Sequence, residues 1–263
     1  MVTHASFQLQ PGMIAGLTGP NGAGKTTIMK TILGLTRFTG RIQVNQQAVT
    51  EDQHAALAHV GALIEHPAIY PFLTGQQNLA LYAHDPADLQ QLTTTLGMRT
   101  YIHAKAKGYS LGMKQKPGIA IALLNHPQLV ILDEPMNGLD VESTITARRL
   151  IQQYAAAGTA FLISSHILNE LQKVMTQVIL IDHGQIIVDQ PINTFNQRHQ
   201  RDYRLMTTNP QLTAQLPAQS HTAYQQADAT FRVKRTDILT IQDLLMAHHI
   251  YLQELTPLRP NLE

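Results

Sequence analysis

The stretch that most constrains the fold of this chain runs from Gly19 to Thr27 and reads Gly-Pro-Asn-Gly-Ala-Gly-Lys-Thr-Thr. It matches G-x-x-x-x-G-K-[ST], the pattern of a glycine-rich loop that holds phosphate groups. A short apolar run over 13–18 precedes the loop, and apolar residues at helical spacing follow it from Thr26 to Leu33. The order strand, loop, helix predicts an α/β fold with a phosphate site at the loop.

The residue types of the loop suit the chemistry of a bound nucleotide. Gly22 and Gly24 permit backbone conformations that a side chain would block, so successive N–H groups can point at a β-phosphate. A helix that begins near Lys25 adds its positive N-terminal end. The Lys25 ammonium suits a place between the β- and γ-phosphates, and the Thr26 hydroxyl suits a magnesium ion. The predicted nucleotide-binding residues of the loop are Gly19, Pro20, Asn21, Gly22, Ala23, Gly24, Lys25, Thr26 and Thr27.

Length and charge exclude several classes of protein. The chain has 263 residues, enough for one large α/β domain and a small second unit. The 19 basic and 18 acidic residues give a formal charge of +1, so no electrostatic footprint for nucleic acid is expected. Cysteine is absent from the sequence, which excludes disulfides and thiolate metal sites. We find no signal peptide and no run long enough to span a membrane, and we expect a cytoplasmic protein.

The pattern of elements predicts a P-loop NTPase core over 1–192. Its sheet is expected to be mostly parallel, with antiparallel strands at the edge that include 5–10 and the hairpin 178–188. A mostly helical insertion is predicted over about 66–126. Residues 193–263 are predicted to form a small α+β accessory unit in the order strand, helix, two strands, helix, strand.

Helix starts in the insertion are marked by capping residues. Thr74, Asp85 and Ser110 each precede a run with helical character, and Pro86 suits a first helical turn. The helix after Ser110 contains Pro117, which removes one hydrogen bond and crowds the preceding turn at a cost of about 3 kcal/mol.

Two carboxylates end the apolar run 129–132, namely Asp133 and Glu134. Functional groups in open α/β sheets gather at the carboxyl ends of parallel strands. The alternative is an acidic turn after a buried strand. The phosphate loop elsewhere in the chain favours a functional pair.

Five features taken together resemble the nucleotide-binding subunit of an ABC transporter, over about residues 1–190. They are the glycine loop, the strand that ends in Glu65, the helix opening 109–115, the segment 133–140, and Ser164-Ser165-His166. The segments 64–79 and 109–115 carry a closer similarity to the bacterial branch of antimicrobial-peptide and multidrug export ATPases.

The resemblance implies roles for particular residues, with ATP and Mg²⁺ as the bound species. Thr26 binds the metal directly and Asp133 through water, with Glu65 as a further metal candidate. Glu134 and His166 are the catalytic residues: Glu134 activates water, and His166 contacts the γ-phosphate. The residues Ser110, Gly112 and Asp140 act across an interface in which two chains enclose two ATP molecules.

The sequence also departs from the family pattern at several positions. Glu65 stands where most members have glutamine, and Leu111 and Met113 change the usual L-S-G-G-Q segment. Pro117 follows that segment within the same predicted helix. Ahead of Met13, two strands and the aromatic residue that stacks on adenine have no counterpart.

The resemblance implies an ATP-hydrolysing subunit that forms a homodimer and powers a separate membrane-spanning permease at the inner face of the cell membrane. Its expected cargo is a peptide antibiotic or drug. The alternative is a nucleotide-binding regulatory or hydrolysis-impaired subunit, favoured by Glu65 and Pro117. A third reading, an ABC ATPase of DNA repair or translation, requires a long coiled-coil insertion or a second nucleotide domain, and neither is present.

Overall fold

The chain divides into two compact units, residues 1–192 and residues 193–262. The computed structural model describes residues 2–50, 52–165, 171–199, 202–216, 224–225, 230–234 and 238–257. The described strands of the first unit are β1 (Ile14–Thr18), β2 (Gln43–Val44), β3 (Gln47–Ala48), β4 (Val60–Leu63), β5 (Leu129–Leu132), β6 (Ala160–Ser164), β7 (Gln177–Asp182) and β8 (Gln185–Pro191). The described helices that begin in it are α1 (Lys25–Ile32), α2 (Gly75–Ala80), α3 (Pro86–Thr95), α4 (Leu111–Leu123), α5 (Val141–Ala156) and α6 (Ile192–His199).

The buried apolar runs form the centre of a mostly parallel sheet. Six of the described strands pair in the order β4-β5-β6-β1-β7-β8. Every pair is parallel except β7 with β8, which forms the antiparallel edge. Strands β1, β5 and β6 are buried along their whole length, as strands covered on both faces must be. This confirms the predicted α/β class with its parallel sheet and antiparallel edge.

One predicted edge strand is wrong. Residues 5–10 alternate apolar and polar side chains, but they form no strand in the described structure. Phe7 and Leu9 instead pack against the core beneath α1, so the alternation reflects burial on one side without a hydrogen-bonded partner strand. Within residues 40–44 only β2 forms, and it pairs with β3 in a separate two-stranded hairpin.

The helices between β4 and β5 begin where the capping residues predict. Thr74 forms a capping box with Gln77 at α2, and Asp85 accepts a hydrogen bond from Ala87 at α3. Ser110 accepts one from the Met113 N–H at α4, which continues through Pro117 as one helix.

Helix α4 lies directly on β4. A side chain at Gly61 would place its Cβ 1.7 Å from the carbonyl oxygen of Ala122, so glycine is required there. This close approach fixes α4 against the sheet beside the ends of β4 and β5.

The second unit has the predicted order of elements. Its described elements are β9 (Asp202–Thr207), α7 (Pro210–Gln215), β10 (Tyr224–Gln225), β11 (Phe231–Lys234), α8 (Ile238–Ala247) and β12 (Leu252–Pro257). The strands form an antiparallel sheet in the order β10-β11-β9-β12, with a core that includes Leu205, Phe231 and Leu245. Across the described ranges of both units, no helix has the length and apolar character that crossing a bilayer demands.

Candidate nucleotide site

The glycine loop leaves β1 and enters α1 through three residues with positive φ, Gly19, Gly22 and Gly24. Gly24 caps α1 at φ 113°, and Gly19 lies against the backbone of Ile181, where a Cβ would come within 2.1 Å of the carbonyl oxygen. Only glycine fits both the dihedral angle and the space at Gly19. The loop therefore has its curvature fixed by backbone contacts.

Lys25 is the first residue of α1 and its side chain is buried under the loop. The Nζ donates hydrogen bonds to the carbonyl oxygens of Gly19, at 2.7 Å, and Pro20, at 3.1 Å. The Ala23 N–H donates to Pro20, and the Ala23 carbonyl accepts from Gly184. These bonds hold the positive charge at the centre of the loop, where phosphate oxygens would meet it.

Asp133 follows β5 and faces α1 across the site. One of its carboxylate oxygens, Oδ2, accepts a hydrogen bond of 2.7 Å from the Thr26 hydroxyl, and the other accepts one from the hydroxyl of Ser164. Its own N–H donates to the carbonyl of Leu63 at the end of β4. A hydroxyl and a carboxylate side by side are the hard oxygen ligands that Mg²⁺ takes together with substrate phosphates. The residues therefore fit magnesium.

Glu134 adopts φ 50°, which turns the chain sharply after Asp133. Its N–H donates to Ser164 Oγ at 2.9 Å, and its carbonyl accepts from the Gln115 side chain of α4 at 3.3 Å. Gln115 also donates to the Pro135 carbonyl at 3.1 Å. The segment that carries both carboxylates is thus tied to β6 on one side and to α4 on the other.

One cavity, with a volume of about 280 Å³, brings half of the predicted site residues together. It is lined by Asn21, Gly22, Gly24, Lys25, Thr26, Thr27, Asp133 and Glu134. Eight residues predicted from two distant segments of the sequence therefore converge on one space that has a lysine at one side and two carboxylates at the other.

Glu65 is placed differently from the other candidate metal residues, Thr26 and Asp133. Its carboxylate forms an ion pair with Lys30 of α1 at 2.7 Å, and Glu65 does not line the cavity in the described structure. The hydrogen bond and charge of Lys30 lower the pKa of the Glu65 carboxyl from its usual value. Lys30 was not among the predicted site residues, although its spacing of four residues from Thr26 places both on one helix face.

Among the described residues, the predicted interface residues Ser110, Gly112 and Asp140 do not line this cavity. Ser110 and Gly112 open α4, and a Cβ at Gly112 would meet the Gly138 carbonyl oxygen at 2.4 Å. Asp140 caps α5 by accepting from the Ser143 N–H at 2.7 Å, and that bond lowers the pKa of its carboxyl. His166, the second predicted catalytic residue, lies outside the described residues.

Two further side chains organise the site and were not predicted. Ser164 joins Asp133 to Glu134, and Gln115 holds the turn that follows. Both lie within segments that carry the family resemblance, but only their long-range contacts reveal which groups they hold.

Comparison with known proteins agrees with the geometry. The ABC transporter family matches residues 2–137. YhcH of Bacillus subtilis (strain 168), an uncharacterized ABC transporter ATP-binding protein, is 29% identical over 270 residues that cover 100% of this chain and 88% of YhcH. The bacitracin transport ATP-binding protein BcrA of Bacillus licheniformis is 34% identical, covering 76% of this chain and 68% of BcrA.

A solved structure of an ATP binding subunit of an ABC transporter shares 26% identity, with a TM-score of 0.69, over 75% of this chain and 86% of that one. Sequence, fold and the converging residues of the cavity point to the same conclusion. The chain belongs to the ABC transporter family and is one of its ATP-binding, ATP-hydrolysing subunits.

Proposed function

We propose that the chain binds Mg–ATP in the cavity of the glycine loop and hydrolyses it to drive a separate membrane-spanning permease. The observation that carries the proposal is the convergence of Lys25, Thr26, Asp133 and Glu134 on one cavity. Its ATPase domain comprises residues 1–192, with the helical insertion over 66–126, and residues 193–263 form an accessory unit.

The loop binds and orients the triphosphate. Backbone N–H groups of Gly22 and Gly24 and the N-terminus of α1 point at the β-phosphate, since that is where a glycine-rich loop presents its donors. Lys25 places its ammonium between the β- and γ-phosphates. Its two bonds to the loop carbonyls pre-organise that position and limit the entropy lost when the nucleotide binds.

Thr26 would hold the metal directly, and Asp133 would hold it through water. A bound magnesium ion would neutralise part of the charge that develops on the phosphate oxygens during transfer. The hydrogen bond between Thr26 and Asp133, together with the bond from Ser164, fixes both side chains beforehand.

Glu134 positions the attacking water and accepts its proton. The water oxygen bonds to the γ-phosphorus in line with the breaking bond to the β–γ bridging oxygen, which leaves with ADP. Ser164 and Gln115 hold the Glu134 backbone, so the carboxylate keeps its direction. His166 contacts the γ-phosphate and responds to its release.

Two chains assemble head to tail around two nucleotides. Ser110 and Gly112 present the N-terminus of α4, an anion site, to the γ-phosphate in the partner's loop, and Asp140 bridges the two chains. The cavity of the chain's own loop, as described, is lined without these three residues, which supports their action in trans. Leu111 and Val141, beside them in sequence, expose 58% and 78% of their surface and would be covered in such a dimer.

The permease docks on the helical insertion, where Tyr70 and Phe72 form an exposed pair with ring centroids 5.6 Å apart. The chain then lies in the cytoplasm against the inner face of the cell membrane.

By similarity to BcrA, named for bacitracin transport, the cargo is a peptide antibiotic or drug that is exported. The comparisons give no support to a regulatory or hydrolysis-impaired subunit, and no role with nucleic acid is proposed.

The test is light scattering of the Glu134→Gln variant with and without Mg–ATP. Removal of the base blocks hydrolysis and traps the closed dimer, so the mass is expected to double on addition of ATP. A Ser110→Ala, Glu134→Gln double variant is the matched control, and it should dimerise less. A monomer at saturating ATP, in a protein shown to bind the nucleotide, contradicts the proposed assembly.

A further inference from the structure

One face of α1 contacts two carboxylates, each of which follows one of two neighbouring strands. Thr26 and Lys30 are four residues apart, so their side chains lie one above the other on the same face. Thr26 contacts Asp133 after β5, and Lys30 contacts Glu65 after β4, each at 2.7 Å. Since β4 and β5 pair in parallel with Leu63 opposite Leu132, the two carboxylates leave the same edge of the sheet.

Glu65 is set in a constrained turn at the start of the helical insertion. Its φ is 58°, and the N–H of His66 donates to the carbonyl of Ile64 at 2.6 Å. The side chain is directed to Lys30, with 54% of the Glu65 side chain and 32% of the Lys30 side chain exposed. The pair is therefore open enough for water and salt to screen it, and it can exchange partners.

We propose that Lys30 is a positioning residue for the nucleotide site, neutralising Glu65 and holding it one helical turn away from the Thr26–Asp133 pair. The inference rests on the proposed function, because it concerns how the same cavity receives a polyanion. Asp133 and Glu134 already bring two negative charges to the cavity. A third unpaired carboxylate at the same sheet edge would repel the phosphates, and the Lys30 ion pair cancels that charge.

This role makes a specific prediction about charge. If Lys30 acted only by stabilising α1, the loss of its side chain would have the same effect whatever residue stands at 65. If it acts by neutralising Glu65, removal of the Glu65 charge must compensate for removal of the Lys30 charge. The two substitutions are then coupled, and the double variant binds the nucleotide more tightly than Lys30→Met alone.

The experiment measures the Kd of a fluorescent ATP analogue with Mg²⁺, at low ionic strength, for the full chain and the variants Lys30→Met, Glu65→Gln and Lys30→Met, Glu65→Gln. We expect Lys30→Met to weaken binding by about two- to fivefold, the range of an exposed ion pair, and the double variant to return near the wild-type value. Raising the salt concentration to about 1 M should reduce the difference in Kd between wild type and Lys30→Met, because charges this exposed are then screened.

The control is Lys107→Met, which removes an exposed lysine of the helical insertion and should leave the Kd unchanged. Equal affinities for wild type and Lys30→Met would overturn the inference, as would a double variant as weak as Lys30→Met. A wild-type chain that fails to bind the analogue would overturn the proposed function, and the inference with it. Binding without coupling between positions 30 and 65 would overturn the inference alone.

Discussion

Ser164 offers the sharpest test of how the site is held together. Its side chain is fully buried at the end of β6, where its hydroxyl donates to Asp133 and accepts from the Glu134 N–H. One hydroxyl thus satisfies two groups on the segment that carries both carboxylates. The Ser164→Ala substitution removes this bridge while changing the volume of the side chain by a single oxygen.

The expected loss of stability follows from these two bonds. A hydrogen bond to a charged group contributes about 1.5–3 kcal/mol, and a buried N–H deprived of its partner costs about 1–3 kcal/mol. Partial relaxation of the surrounding structure makes the total cost smaller than the sum of these two contributions. We therefore expect Ser164→Ala to lower the free energy of unfolding by about 3 kcal/mol. For a unit of this size, that corresponds to a fall in Tm of about 6–12 °C.

A larger effect is expected on hydrolysis. Without the bridge, Asp133 and Glu134 lose the contact that fixes their relative position, and a displacement near 1 Å can cost about a hundredfold in rate. We expect kcat to fall by about tenfold to a hundredfold in Ser164→Ala, with a smaller change in ATP affinity, because Lys25 and the loop are untouched.

Circular dichroism is the assay for stability, because the chain contains no tryptophan to report unfolding. The matched control is Thr159→Val at the opposite end of β6, where the buried hydroxyl of Thr159 donates to the Pro127 carbonyl at 2.8 Å. That variant also loses one buried hydroxyl, at about 1 kcal/mol, and should retain full activity. If Ser164→Ala melts within about 2 °C of Thr159→Val and hydrolyses ATP at the wild-type rate, the bridge does not organise the site.

Four further predictions concern the loop and the stability of the fold. Lys25→Met should weaken ATP binding by at least about tenfold in a fluorescence titration, because one charge-assisted phosphate contact contributes about 1.5–3 kcal/mol. Gly19→Ala should lower stability by about 3 kcal/mol or more, because its Cβ would lie 2.1 Å from the Ile181 carbonyl oxygen. Gly22→Ala, with open space around it and φ 81°, should cost only about 1–2 kcal/mol in the same denaturation assay. Burial, and secondly a nearby aspartate, raise the pKa of Tyr154 to about 12, so its stabilising contribution is complete below pH 10 and is lost as the pH rises toward 12. Tyr154→Phe should flatten that alkaline loss in thermal melts, and an unchanged pH profile would contradict the assignment.

The strand predicted over residues 5–10 does not form, and it shows what an alternating sequence pattern cannot predict. Phe7 and Leu9 alternate with polar residues as a half-buried strand does, yet they pack on the core without pairing. Alternation records which side of the chain is buried, but a strand also requires a neighbouring chain in register. The order of helices and strands along the second unit was predicted correctly, because each element follows a local pattern of residues.

The sequence by itself determined the glycine loop, the helix starts at Thr74, Asp85 and Ser110, and the strands that end near Glu65 and Asp133. These features are local: a loop pattern, a capping side chain or an apolar run depends on residues within a few positions of one another.

The tertiary structure alone decided which side chains meet. Ser164 reaches Asp133 only because β5 and β6 pair in parallel with Leu132 opposite Ile163. Lys30 reaches Glu65 only because the fold brings α1 to the residues that follow β4 and β5. Such contacts depend on strand register and helix placement across more than thirty positions of sequence, which periodicity does not encode. The residues of the site could therefore be predicted from the sequence, whereas the contacts that hold its charged side chains in place depend on the fold.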